Sequence, residues 1–237
     1  MTAEDVKYAL KKVSDPKKAK NNAWFFKTGP GEYGEGDKFV GVTVPNMRKV
    51  ARRYKNLSLD EVAKLVSSPM HEHRLTGVFI LVGQFERAKN PEDKQAIYDE
   101  YMKLLDAEHI NNWDIVDSSA HKIVGAWLVD KNRKVLIDLA SSGQLWKQRV
   151  AIIATAYFIR QDDFTDTLLI SELLLDHPHD LIHKAVGWML REVGNRDRAV
   201  EEEFLKKHYK YMPRTMLRYA IEKFPEQLRK SYLEGRA

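Results

Sequence analysis

The sequence contains no cysteine, and this absence removes two classes of protein at the outset. Without cysteine the chain can form neither a disulfide framework nor a cysteine-ligated metal site. It also lacks the roughly 18 uninterrupted apolar residues that a membrane span requires, and its first residues lack the apolar core of a secretory signal. At 237 residues, 43% hydrophobic and 31% charged, it is typical of a folded protein with a substantial core. We therefore expect a cytoplasmic protein, in a bacterial cytosol or nucleoid, that contacts no membrane.

Motifs for metal binding, phosphate loops and nucleophilic catalysis are missing as well. The eight histidines include two short-range groups, His71 with His73 and the HPHD run at 177–180, each at a predicted helix start. Such groups more often cap a helix or face solvent than ligate a metal. The sequence therefore predicts no metal site and no cofactor.

Charge is unevenly distributed along the chain. Residues 1–55 carry 13 Lys and Arg against 6 Asp and Glu, residues 204–237 carry 9 against 3, and the middle carries 17 against 25. Two basic ends suit a protein that grips a polyanion on both sides of a working centre, because neutralised phosphates release counterions. Lysine-rich helix faces that are merely solvated are the alternative explanation.

Helical patterns cover nearly the whole chain. Five prolines fall at predicted helix starts, where the missing N–H costs nothing; they are Pro69, Pro91, Pro178, Pro213 and Pro225. The predicted helices span residues 3–13, 16–26, 45–56, 58–67, 70–88, 91–106, 113–129, 131–141, 145–160, 163–175, 179–193, 197–209, 213–223 and 225–234.

Several of these helices share a basic residue followed by a mostly apolar run. The basic residues are Arg74, Lys122, Arg149, Lys184 and Arg214, at intervals of 48, 27, 35 and 30 residues. Such intervals suit paired-helix repeats of HEAT type. The pattern predicts an all-α fold, an α-solenoid or superhelix of HEAT-like repeats that forms one domain over residues 1–237. Stacked helix pairs leave a concave face, which the recurring cations would line. Such a row can follow a DNA backbone.

One glycine-rich stretch, KTGPGEYGEGDKFVGVTVP at residues 27–45, breaks the helical pattern. Its last part, FVGVTV at 39–44, favours β structure, so the sequence predicts a short β-hairpin or Gly-rich insertion near residues 28–43. Lys27 and Lys38 would flank the tip of a hairpin that enters a DNA groove or separates strands at a junction. The acids Glu32, Glu35 and Asp37 argue against a tip pressed onto phosphates and favour a structural role.

The stretch NWDIVDSSAHKIVGAWL at residues 112–128 holds the candidate site. Trp113, Asp114 and Asp117 fall within little more than one helical turn, so an aromatic face and two carboxylates point the same way. On residues alone, Asp117 could be solvated or bonded to local backbone, and an isolated tryptophan more often packs in a core. Together with Arg149 in QLWKQRVAI and Trp188 in HKAVGWMLRE, the stretch resembles the catalytic part of the AlkD-like DNA alkylation repair family, the HEAT-like-repeat DNA glycosylases.

The resemblance implies a role for each motif residue. WDIVD matches the family's W-D-x-x-D segment and puts Asp117 where the family has its catalytic aspartate, which stabilises positive charge on the deoxyribose or positions water. Trp113 and Trp188 would flank the sugar-phosphate of the lesion, where their π-faces attract positive charge. Arg149 would clamp the adjacent phosphate with its planar guanidinium; a surface salt bridge is the alternative.

Further cations are candidates for contacts with DNA. Lys184 and Arg191 flank Trp188 on one predicted helix, although Arg191 could instead pair with an acid near Glu192. The other candidates, on the basic helix at 45–56, at repeat helices and in the insertion, are Arg48, Arg52, Lys122, Arg214 and Lys38. The remaining tryptophans, Trp24, Trp127 and Trp146, are expected to pack.

The likeness runs from residue 45 to the C-terminus, and a hairpin at 28–43 would place the chain in the AlkF-like branch of the family, which binds branched or distorted DNA.

Three candidate functions follow from the sequence. The first is an alkylpurine DNA N-glycosylase that excises positively charged N3- or N7-alkylated bases in a concave basic cleft, without base flipping. The second is a non-catalytic binder of branched or distorted DNA, and the third is a HEAT-type protein–protein scaffold. The expected partner is double-stranded DNA with alkylated bases, or branched DNA, bound by a monomer.

Overall fold

A computed structural model describes residues 1–237 and contains helices but no β-strands. The all-α fold class predicted from the sequence is therefore confirmed. The chain divides into two compact units, an N-terminal unit of Met1–Ile123 and a C-terminal unit of Val124–Ala237. The single HEAT-like domain over residues 1–237 stays a prediction. None of the helices is both long and apolar enough to span a bilayer.

The N-terminal unit is built from seven helices. They are α1 (Ala3–Lys11), α2 (Pro16–Phe25), α3 (Val44–Arg53), α4 (Leu59–Val66), α5 (His71–Arg87), α6 (Pro91–Asp106) and α7 (Trp113–Ala120). Helix α5 packs against α1, α3, α4, α6 and α7, and 13 of its 17 residues are buried. Because a buried polar group costs free energy unless it is hydrogen-bonded, the polar residues at the start of α5 must find partners inside the unit.

In the glycine-rich segment at 27–43, turns end at residue 36 and residues 37–43 form no strand. The predicted β-hairpin is therefore wrong, and the alternative, a Gly-rich stretch between helices, describes the segment. Its one bridge-type pairing joins Lys38 to Met70. The buried carboxylate of Glu72 accepts hydrogen bonds from the backbone N–H groups of Val40, Gly41 and Val42 at 3.0, 2.8 and 3.2 Å. A hairpin would need such N–H groups for a partner strand. Here a side chain of α5 takes them, and the segment docks on the helix instead of projecting.

The C-terminal unit contains the remaining helices. They are α8 (Ala126–Leu128), α9 (Lys134–Ala140), α10 (Leu145–Ala154), α11 (Ala156–Ile159), α12 (Thr165–Leu173), α13 (Asp180–Arg196), α14 (Arg198–His208), α15 (Arg214–Ala220) and α16 (Glu226–Leu233). Helix α13 is central, since it packs against α10, α12, α14 and α15.

Glycines within the C-terminal unit permit close helix packing. A Cβ at Gly187 would lie 2.4 Å from the carbonyl oxygen of Met216 on α15, and one at Gly125 would lie 2.2 Å from that of Ala154 on α10. Both glycines come three residues after a basic residue, in KIVG and KAVG. The shared sequence pattern thus includes a packing requirement, because only glycine allows this approach of backbones.

The predicted helices agree with the observed ones apart from their ends and two interruptions. A π-helical turn at His121–Gly125 interrupts the predicted helix at 113–129, and the predicted helix at 145–160 is divided into α10 and α11 at Thr155. Apolar periodicity cannot detect a single inserted residue within so short a window.

The prediction that Trp24 packs is wrong, because its side chain is 83% exposed. Trp127 and Trp146 are half-buried, and the ammonium of Lys131 lies 4.0 Å from the ring centroid of Trp127.

Candidate functional site

Helix α7 carries the motif residues of the N-terminal unit. Its core-facing side is fully buried, whereas Trp113, Asp114, Asp117 and Ser118 are half-buried and lie on the other side. The helix begins after the buried Asn112, which accepts a hydrogen bond from the N–H of Trp113 at 2.8 Å and donates one to Asp37 at 3.0 Å. The start of the motif is therefore anchored to the glycine-rich segment.

A buried histidine ties the first carboxylate of the motif into the interior. Nε2 of His71 lies 2.9 Å from Oδ2 of Asp114, and Nδ1 lies 3.2 Å from Oδ2 of Asp37. Burial alone would lower the pKa of His71, but the charge and hydrogen bond of Asp114 and the hydrogen bond of Asp37 outweigh it and raise that pKa to about 9. The charged imidazolium thus joins the glycine-rich segment to α7. Asp114 therefore helps to hold the start of α7 in place.

The pH dependence of stability should report this network. Because the pKa of His71 in the folded protein lies above its unfolded value of about 6.5, the network's contribution is fully present below about pH 6.5 and is lost as pH rises through about 9. We expect an NMR titration of the His71 ring to show a pKa near 9. The free energy of unfolding should fall over the same window.

His73 provides an internal control for that titration. Its Nδ1 lies 2.9 Å from Oγ of Ser68, and burial lowers its pKa to about 4. It should stay neutral from pH 6 to 9 while His71 loses its proton. A His71 pKa below 7 would contradict the bridging role.

Aromatic rings surround the exposed edge of the motif helix. The ring of Trp113 stacks on that of Phe26, with centroids 5.4 Å apart and an interplanar angle of 17°, and meets Phe25 edge-on at 6.2 Å. A cavity of about 360 Å³ lies beside these rings and beside Asp114. Stacking fixes the orientation of the Trp113 indole.

A second cavity of the N-terminal unit, about 290 Å³ in volume, is lined by five cations. These residues, here called the cationic pocket, are Arg48, Arg52, Lys55, Arg87 and Lys122. Ser118 of α7 also lines the pocket, together with one carboxylate, Glu86, which pairs with Lys122 at 3.3 Å. The Arg48 guanidinium lies 4.2 Å from the ring centroid of Phe79. Such a concentration of cations attracts phosphate.

The π-helical turn lies next to this pocket in the chain. It begins directly after α7 at His121 and contains Lys122. Single π turns within α-helices are rare and occur frequently at functional sites. Here the turn links the motif helix to a cation of the pocket.

The motif residues of the C-terminal unit lie on α10 and α13. Arg149 is 4% exposed, and its Nη1 donates a hydrogen bond to the carbonyl oxygen of Leu181. Arg149 is therefore held inside the unit and not on its surface. Trp188 is half-buried and donates from Nε1 to Oε1 of Glu192 at 2.9 Å.

The candidate cations of the C-terminal unit have acidic neighbours. Nζ of Lys184 lies 2.6 Å from Oδ2 of Asp180. Arg191 forms ion pairs with Glu222 and Glu192, which is the alternative that the sequence left open for it. Arg214 is exposed at the start of α15. Contacts of these residues with DNA stay predictions.

The structure thus groups some predicted residues and leaves others apart. Arg48, Arg52 and Lys122 line one pocket, whereas Lys38 is exposed at the glycine-rich segment. Trp113 and Asp117 belong to the N-terminal unit, and Arg149 and Trp188 belong to the C-terminal unit. Their combination into one site stays a prediction.

Sequence reasoning missed two features of the site. Arg87, the last residue of α5, joins the cationic pocket, and its Nη2 donates to the carbonyl oxygen of Lys55 at 2.9 Å. The sequence predicts for His71 only a place in a helix-start pair, although its side chain bridges two carboxylates. A cation in the last turn of a helix was the available signal for Arg87, while nothing local identified the partners of His71.

Two comparisons with known proteins find similarity to this chain. A family model described as DNA alkylation repair enzyme matches residues 6–224. The fold is similar to that of a protein from Enterococcus faecalis described as a predicted DNA alkylation repair enzyme, with a TM-score of 0.66 and 15% sequence identity over 90% of this chain and 97% of that one. No curated protein sequence matches significantly.

Proposed function

This chain belongs to the DNA alkylation repair enzyme family, and from that premise we propose that it is an alkylpurine DNA N-glycosylase. Its substrate would be double-stranded DNA with purines alkylated at N3 or N7. Such bases carry positive charge and leave easily, so one carboxylate and a firm grip on the backbone can suffice. The base would be excised without flipping into a pocket, unlike the bases handled by most base-excising enzymes.

The observation that carries the proposal is the position of Asp117 on α7, directly before a residue of the cationic pocket. Ser118 lines that pocket with the guanidinium of Arg48 and the ammonium of Lys122. Cations that hold phosphates there would bring the deoxyribose of the bound strand close to α7. A carboxylate beside that sugar is well placed to act on the glycosidic bond.

The proposed reaction is hydrolysis of the bond between C1′ and the base nitrogen. The bonding electrons leave with the base, which neutralises its positive charge, while positive charge develops on the deoxyribose. The Asp117 carboxylate would stabilise this charge and orient the water that adds at C1′, and that water would lose one proton to solvent as it becomes the C1′ hydroxyl. Trp113 and Trp188 would flank the sugar, and Arg149 would hold the adjacent phosphate.

Release of 7-methylguanine and 3-methyladenine from methylated duplex DNA tests the proposal. We expect wild-type protein to release these bases above the spontaneous rate and Asp117→Asn to release them at least tenfold more slowly, since the amide lacks the stabilising charge. Asp60→Asn, the same chemical change at an exposed position of α4, should leave the rate unaltered.

Absence of release by the wild type would overturn the glycosylase proposal for these lesions. In that case, junction DNA bound equally well by wild type and Asp117→Asn would favour the non-catalytic binder of branched DNA. DNA binding that is weak and insensitive to salt would favour the protein–protein scaffold, because phosphate-driven binding must weaken steeply with salt.

A further inference from the structure

Helix α2 ends in two large aromatic side chains that face solvent. Trp24 is 83% exposed and Phe25 is 56% exposed. Tryptophan is highly buried on average in folded proteins, so two adjacent exposed rings of this size indicate a contact surface. These two residues are called the aromatic pair below.

The surroundings of the aromatic pair are mainly cationic. Lys17, Lys18, Lys20 and Lys27 are all exposed. The one carboxylate in the cavity beside the pair is that of Glu32, which accepts a hydrogen bond from the N–H of Gly29 at 2.8 Å. None of the residues of α2 is buried. Such a surface complements a polyanion that also offers flat apolar groups, and a nucleic acid with accessible bases has both properties.

The aromatic pair is rigidly mounted although it is exposed. The next residue, Phe26, is 8% exposed and its ring centroid lies 5.2 Å from that of Phe39 and 4.6 Å from that of His71. The hydroxyl of Thr28 donates to the carbonyl oxygen of Ala23 at 3.2 Å, which closes the end of the helix. A ring held in place loses little conformational entropy when it binds a partner.

The start of α2 is fixed as well. The N–H of Asp15 donates to the carbonyl oxygen of Gly41 at 3.1 Å. Gly41 has a φ of +83°, and a Cβ there would lie 2.0 Å from the carbonyl oxygen of Asp15. Only glycine allows this close crossing, so the docked glycine-rich segment supports both ends of the helix.

The aromatic pair is continuous with the motif helix, because Phe25 meets Trp113 edge-on at 6.2 Å. We propose that Trp24 and Phe25 stack against nucleobases of bound DNA at points where the duplex is unpaired or unstacked. The inference rests on the proposed function, since it assumes DNA as the ligand. This contact would recognise unstacked bases next to the carboxylate and the cations that hold the strand.

Equilibrium binding to three 20-nucleotide probes tests this contact: an intact duplex, the same duplex with a central two-nucleotide mismatch, and the single strand. The Trp24→Ala/Phe25→Ala variant should bind the mismatched and single-stranded probes about tenfold more weakly than the wild type does, since each stacked base contributes substantially. Its affinity for the intact duplex should change less than threefold. Its salt dependence should equal that of wild type, because no charge is altered.

Two controls separate stacking from general effects. Tyr8→Ala removes an aromatic ring that is 63% exposed on α1 and lies near Lys12, and it should bind all three probes like the wild type. Trp24→Phe keeps a stacking face and should recover most of the affinity that Trp24→Ala loses. Both variants alter exposed side chains, so folding is preserved.

The outcomes distinguish this inference from the proposed function. If the wild type binds DNA and the double alanine variant binds every probe equally well, the aromatic pair does not stack on bases and the inference is overturned. The same holds if the variant loses affinity equally for all three probes. If the wild type binds none of the probes, the inference is overturned, whereas the proposed function is still decided by base release from methylated duplex DNA.

Discussion

Replacing Arg48, Arg52 and Lys122 together by glutamine should weaken binding to duplex DNA about a hundredfold near 0.1 M salt. Hydrogen bonds to charged groups contribute about 1.5–3 kcal/mol each when one partner is removed, and solvent screening reduces this at exposed positions. At a screened value of about 0.9 kcal/mol per contact, three losses in the cationic pocket amount to about 2.7 kcal/mol, or two powers of ten. Fluorescence anisotropy with a labelled duplex would measure the change.

Salt dependence identifies the cause of the loss. Each phosphate contact adds about 0.9 to the slope of log affinity against log salt, so the triple variant should lose about 2.7 from the wild-type slope. A triple variant that lost affinity with an unaltered slope would show that these cations do not neutralise phosphates.

A charge-matched control is available within the same unit. Lys7, Lys64 and Lys103 pair with Glu4, Glu61 and Glu100 on helix surfaces, at 2.7, 2.5 and 3.7 Å. Their replacement by glutamine alters net charge by the same amount outside the pocket. This control variant should keep the wild-type slope to within one contact, whereas a loss as large as that of the pocket variant would indicate attraction by net charge alone.

The cationic pocket shows which parts of the site the sequence can predict. Arg48 and Arg52 are four residues apart on one amphipathic helix, so their common face is readable from spacing. Lys122 joins them only because α7 and α3 both pack on α5, and Arg87 joins them from the end of α5 itself. Local periodicity predicts which residues share a helix face, while the set of helices that meet at a pocket depends on tertiary packing.

In the glycine-rich segment, local propensity predicts the wrong structure. The β propensity of residues 39–44 is real, but propensity is a weak guide where burial and hydrogen bonding decide the conformation. Glu72 lies about 30 residues away in sequence and satisfies the N–H groups that a strand would have used. The same limit applies to His71, whose partners Asp37 and Asp114 are 34 and 43 residues away. Neither long-range contact has a local signal in one sequence.

Replacing Glu72 by leucine should destabilise the N-terminal unit by about 4 kcal/mol. The side chain is fully buried and accepts hydrogen bonds from three backbone N–H groups. Each buried donor left without a partner costs about 1–3 kcal/mol. Chemical denaturation followed by the fluorescence of the unit's tryptophans would measure the loss of unfolding free energy. Hydrogen exchange at the amides of Val40, Gly41 and Val42 should accelerate at least a hundredfold.

Glu86→Leu is the matched control, since it makes the same change on the same helix at a side chain that is 54% exposed. We expect it to cost less than about 1 kcal/mol, as exposed ion pairs contribute little. If Glu72→Leu were equally mild, the glycine-rich segment would not depend on this carboxylate. If Glu72→Leu does cause the expected loss of unfolding free energy, its interaction with DNA should change as well. The glycine-rich segment supports α2 and, through Asp37 and His71, the start of α7. Release of the segment should therefore weaken base stacking by Trp24 and misplace Asp117 together.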